Sequence, residues 1–120
     1  MYNKSPLLEK SLHFAARIVK LHRYLISEKR ETIIAKQIMR SGTSIGANAN
    51  EAAYGISPAD FIAKLQISLK ETAETEYWLR LLILTGYVEK EAGESMLKDC
   101  MEIKSMLIAS LKTAKSHQNK

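Results

Sequence analysis

A single cysteine, Cys100, rules out a disulfide within the chain and fits a reducing compartment. Only two prolines and five glycines punctuate 120 residues, so the backbone has few enforced breaks. The β-branched and aromatic runs of an all-β chain are missing. No stretch approaches the roughly 20 apolar residues needed to span a bilayer. The opening "MYNKSPLLEKSLHFAARIVK" has neither a continuous apolar h-region nor a small-residue cleavage site. A cytoplasmic chain with no signal peptide and no membrane partner is expected. Hydrophobic residues at 46% and charged residues at 26% match an ordinary globular domain rather than a disordered one.

Chemistry is equally scarce. His13, His22 and His117 are preceded three positions earlier by Lys10, Val19 and Ala114, so the Glu-x-x-His pairs of a di-iron bundle are absent. Gly42 and Gly46 have no following lysine and no preceding strand, which excludes a phosphate-binding P-loop. Cys100 falls on an apolar stripe away from any histidine and reads as a buried structural thiol. Glu71 and Glu74 share a helix face, and Glu51 could join them. Ion pairs or hydrogen bonds with Arg40, Lys70 or nearby asparagines are the favoured use of these acids over acid–base catalysis. No metal, no cofactor and no enzymatic activity are expected.

What the chain has is helical periodicity, in four segments expected near residues 6–27, 31–54, 58–85 and 89–115. In the first, Leu7, Phe14, Ile18, Leu21 and Leu25 form a stripe that Leu8, Leu12, Ala15, Val19 and Ile26 widen. In the second, Ile34, Ile38, Ser41, Ile45, Asn48 and Ala52 keep a regular spacing. The third carries Ile62, Leu65, Leu69, Ala73 and Ile83. The fourth carries Met96, Cys100, Ile103 and Leu107, with Leu97, Met101, Ile108 and Leu111 beside them. Ser5-Pro6 and Ser57-Pro58 supply start signals, Gly55 and Gly86 stop signals, and the tail "KSHQNK" is expected to fray. Short connections make consecutive helices antiparallel, so residues 1–120 read as one all-α domain, an up-down-up-down four-helix bundle.

Three surfaces stand out. "RSGTSIGANANEA", residues 40–52, has poor helix propensity yet keeps the helical spacing, and its two interior glycines should cost about 2 kcal/mol relative to alanine. Gly42, Gly46, Ala49 and Ala53 form a small-residue ladder that lets another helix approach, with Asn48, Asn50 and Glu51 expected to make polar contacts across helices or subunits. "YWLRLLILTGYV", residues 77–88, is apolar nearly all round, which marks Trp78, Leu81 and Leu82 as helix- or subunit-packing residues and suggests self-association. The charge is uneven as well. Residues 1–40 hold nine Lys/Arg against three Asp/Glu (+6), whereas residues 41–120 hold nine against ten (−1). Lys10, His13, Arg17 and Lys20 line one face of the first helix, with Arg23, Lys29 and Arg30 adjacent. Such a stripe could hold the phosphates of RNA or DNA, with salt-sensitive and weakly sequence-specific binding. The alternative is a protein–protein interaction scaffold without nucleic-acid affinity.

"SLHFAARIVKL", "QIMRSGTSIGANANEAAYG", "DFIAKLQISLKETAETEYWLRLL" and "TGYV", over roughly residues 7–112, resemble the four-helix bundle family encoded in intervening sequences of bacterial 23S ribosomal RNA genes, also called the S23 ribosomal protein family. The Arg-Ser-x-x-Ser-x-x-x-Asn-x-x-Glu core falls on Arg40, Ser41, Ser44, Asn48 and Glu51. The resemblance implies an antiparallel bundle assembled into a homopentameric ring. It also extends to the accessory variability determinant proteins of diversity-generating retroelements, basic pentamers that bind nucleic acid and a reverse transcriptase. It supplies no catalytic residues.

Overall fold

The computed structural model describes residues 5–118. Four helices follow in order: α1 (Pro6–Ser27), α2 (Ile33–Ala53), α3 (Pro58–Leu84) and α4 (Lys90–Gln118). The chain is all-α, with no strand among the described residues. No helix among them is long and apolar enough to cross a membrane.

Local chemistry sets most of the boundaries. Pro6 and Pro58 occupy the first turns of α1 and α3, where a missing N–H is harmless. Ser57 Oγ accepts the Asp60 N–H at 3.0 Å and caps α3. α2 starts at Ile33 rather than Glu31, because Glu31 stays outside and its carboxylate accepts the first-turn N–H of Ala35 at 2.8 Å. α3 gives way at Gly86, whose φ of 81° lies in the left-handed region that favours glycine. α4 runs to Gln118, so residues 115–118, expected to fray, are helical; Ala114 still packs against the core one turn earlier.

Each helix packs on its sequence neighbours, α4 also closes against α1, and the backbones of the diagonal pairs stay apart among the described residues. Residue numbers run in opposite directions across the α1–α2 and α2–α3 seams. Ser11 lies beside Gly46 and Ile18 beside Gly42; Lys64 meets Glu51, Ser68 meets Ile45, and Thr75 meets Ser41. Phe14, Ile18, Leu25, Ile38, Ile45, Leu65, Leu79, Leu82, Ile103 and Leu107 are fully buried between the helices.

Three expected stripes need correction, that of α4 because Met101 and Ile108 in its flanking row are exposed. On α1, Leu12 is 63% exposed and Ile26 is exposed as well. Ser11 is the residue turned toward α2, fully buried against Gly46, and its neighbour Leu12 is therefore rotated about 100° away. On α3, Leu69 and Ile83 are only half-buried and Ala73 is exposed. The buried face there runs through Ser68, Thr72 and Thr75 instead. Ser68 Oγ donates to the Ile45 carbonyl at 2.7 Å and Thr75 Oγ1 to Ser41 Oγ at 2.9 Å, while Thr72 Oγ1 bonds back to the Ser68 carbonyl at 2.8 Å. Small hydroxyl residues let α2 and α3 come close, and no buried side-chain nitrogen or oxygen among the described residues lacks a partner.

Candidate nucleic-acid interface

The small-residue stretch of α2 packs within the chain. A Cβ on Gly42 would stand 2.7–2.9 Å from three carbons of Ile18, and one on Gly46 would stand 3.1 Å from Ser11 Oγ. Both glycines and Ala49 are buried. Within the chain, Asn48 and Asn50 each donate back along their own helix, to the Ser44 and Gly46 carbonyls at 2.9 and 2.8 Å. Glu51 does reach across, to Lys64 Nζ at 3.0 Å. Arg40 holds Glu71 at 3.0 Å and also Glu74, whose carboxyl is pulled below the usual range by the Trp78 indole N–H and then by Arg40.

At the far end of α3, Leu82 is fully buried in the chain's own core, and Trp78 and Leu81 are half-buried beside it. Tyr77 and Leu84, seven residues apart on one face, are exposed. Cys100 is buried with its thiol 3.6 Å from the Thr72 carbonyl, and burial pushes that thiol up to about 12. Alkylation at pH 8 should therefore be negligible in the folded protein and stoichiometric after denaturation. A folded thiol that reacts at the rate of a free one would put Cys100 at the surface.

The basic stripe of α1 divides into two parts. Its first half faces α4 and is neutralised there. Lys10 Nζ lies 2.7 Å from Glu102 and 3.6 Å from Asp99, and its pKa is raised chiefly by the bond to Glu102. Arg17 bonds Asp99 at 2.7 Å and Ser95 Oγ at 3.1 Å. His13 sits 3.7 Å from Glu9. α1 and α4 approach each other least closely of the four neighbouring pairs, so long charged side chains rather than small apolar ones close this seam.

The second half behaves differently. Lys20, Arg23, Lys29 and Arg30 are exposed, and none has an acidic side chain within ion-pair distance among the described residues. They gather at one end of the bundle, on the last turns of α1 and the loop that follows. Lys29 Nζ lies 6.0 Å over the ring of Tyr24, tying the loop back to the helix. Of the two acids nearby in sequence, Glu31 is occupied in capping α2.

Arg30 adds a backbone observation. Its φ of 57° makes it the only non-glycine residue in the left-handed region among the described residues, and the next N–H, of Glu31, returns to the Leu25 carbonyl at 2.9 Å to finish α1. Glycine or asparagine holds that conformation with less strain. Arg30→Gly should raise stability by about 1 kcal/mol in a urea titration while weakening nucleic-acid binding. A variant less stable than the parent would remove strain from the explanation.

The fold and this end together define a four-helix bundle with one basic end whose cations hold no ion pair among the described residues. The family model for the 23S rRNA-intervening sequence protein matches residues 3–109, and the chain belongs to that family. It is similar to a protein with unknown function from the S23 ribosomal protein family of Bacteroides thetaiotaomicron VPI-5482, known from a crystal structure at 1.70 Å. The two are 54% identical, with a TM-score of 0.88 over 88% of this chain and 98% of that one. No curated protein matches this chain.

Proposed function

We propose that this protein is a non-enzymatic, cytoplasmic, antiparallel bundle that assembles into a homopentameric ring and binds the phosphate backbone of RNA or DNA. The observation that carries the binding reading is the separation of charge along α1: Lys10 and Arg17 are paired with acids of α4, whereas Lys20, Arg23 and Arg30 have no such partner among the described residues. A cation already holding a carboxylate gains little from a phosphate, and one in water gains the release of a counterion. The binding face is therefore the end of the bundle rather than the whole stripe. The opposed numbering across the seams supports the antiparallel order, and exposed Tyr77 and Leu84 support self-association. Glu51 and Glu71, the acids a catalytic reading would use, are each held by a cation, which favours a structural role.

Native mass spectrometry of protein purified without nuclease, followed by a salt titration of binding to labelled RNA and DNA, tests this reading. A five-fold mass and a log affinity that falls linearly with log salt are expected. An oligomer without measurable affinity for either nucleic acid would favour the protein-scaffold reading, and a monomer would remove the ring.

A further inference from the structure

Beside the basic end lies a cleft of about 410 Å³ between the last turns of α1 and the start of α4. Its floor is apolar, formed by Leu21, Val88 and Met96. Tyr24, 41% exposed as a residue, lines it, and Lys20 and Arg17 line it from the same helix. Arg17 is committed to Asp99 and Ser95, so it fixes the wall rather than offering a free charge. Lys20 is uncommitted, and Lys29 sits over the Tyr24 ring. Glu89 is the one carboxylate among the described residues that line the cleft.

An apolar floor, an accessible aromatic ring and cations on one side only make a site with two unlike halves. A phosphodiester fits the cationic half, where Lys20 lines the cleft and Lys29 lies 6.0 Å from the Tyr24 ring, and is repelled from Glu89. A flat heteroaromatic ring fits the inner half, where it can stack on Tyr24 while its exocyclic amine donates to Glu89. Resting on the nucleic-acid reading above, the geometry points to a nucleotide site: the cleft receives one unpaired base of a single-stranded nucleic acid, stacked on Tyr24, with the adjoining phosphates on Lys20 and Lys29. A base inside a duplex is stacked on its neighbours and cannot enter without unpairing. Single strands are therefore preferred over duplex of equal length.

Fluorescence anisotropy with the full-length protein tests this, using a labelled oligocytidine strand, whose bases carry the exocyclic amine, an abasic strand of the same length and charge, and the matching duplex. RNA and DNA versions of each are compared to show which sugar is accepted. The intact strand should bind about tenfold or more tightly than the abasic strand or the duplex. Tyr24→Ala should lose that advantage with no change in the salt slope, and Tyr24→Phe should keep it, because the face of the ring does the stacking. A thermal melt of each variant confirms folding. Salt-dependent binding that is equal for intact and abasic strands, and unaffected by Tyr24→Ala, would overturn the base site and leave the charge reading standing. No binding of any strand by the parent protein would overturn both.

Discussion

Gly42→Val is expected to destabilise the bundle by about 3 kcal/mol, a large share of the roughly 5–15 kcal/mol that holds an ordinary domain folded. Even a bare Cβ at this position would stand 2.7–2.9 Å from three carbons of Ile18, a residue with no exposure to water and therefore no room to swing aside. Valine adds two further methyls in the same place. Relief of the glycine helix penalty returns less than about 1 kcal/mol, so the steric effect wins. The partner residue makes the explanation testable. Ile18→Ala alone should cost about 2–5 kcal/mol by leaving a cavity, but in the double variant the valine refills part of that space. The combined loss should fall well short of the sum of the two. Chemical denaturation at one fixed protein concentration reads all three values, since self-association would otherwise shift the midpoints. Strict additivity would mean that Ile18 is not what keeps position 42 small.

Charge reversal at the bundle end should have the larger functional effect. Each phosphate contact made by a lysine or arginine releases close to one counterion, which at ~0.1 M salt amounts to roughly tenfold in affinity. Lys20→Glu with Arg23→Glu removes two such contacts and adds repulsion, so a loss of about 100-fold or more is expected. Both side chains are exposed and neither holds an acid, so the fold should survive intact. Lys10→Gln should show the reverse profile: binding almost unchanged, with a small loss of stability, under about 1 kcal/mol, as its contacts to Glu102 and Asp99 go. Equal losses of affinity from the two changes would restore the continuous stripe along α1.

The helices were legible in the sequence because their ends carry strong local signals, such as Ser57-Pro58 and Gly86, and because α4 keeps an unbroken apolar stripe through Met96, Cys100, Ile103 and Leu107. The buried face of α3 was not legible. A hydrophobic pattern cannot find Ser68, Thr72 and Thr75, since each satisfies its hydroxyl with a nearby carbonyl or another hydroxyl and then packs like a small apolar group. For the same reason Ser11, bonded to the Leu8 carbonyl, took the inward position that seemed to belong to Leu12.

The basic stripe was legible as a row of charges but not as two halves. Spacing along α1 says that Lys10, Arg17 and Lys20 share a face; only the packing of α4 says that Asp99 and Glu102 meet the first two and leave the third. Tyr24 was passed over as well. Its neighbours Arg23 and Lys29 offered a signal, an aromatic among cations, but its relation to Val88 and Met96 depends on the α3–α4 loop folding back beside α1.

The measurement that bears most directly on the location of binding is photo-crosslinking of a 4-thiouridine-substituted single strand to the full-length protein, followed by peptide mapping. Crosslinks confined to the last turns of α1, the loop after it and the start of α4, within residues 17–31 and 88–96, are the predicted result. Crosslinks concentrated on the outer faces of α2 and α3, around Arg40, Glu71 and Tyr77, would contradict it.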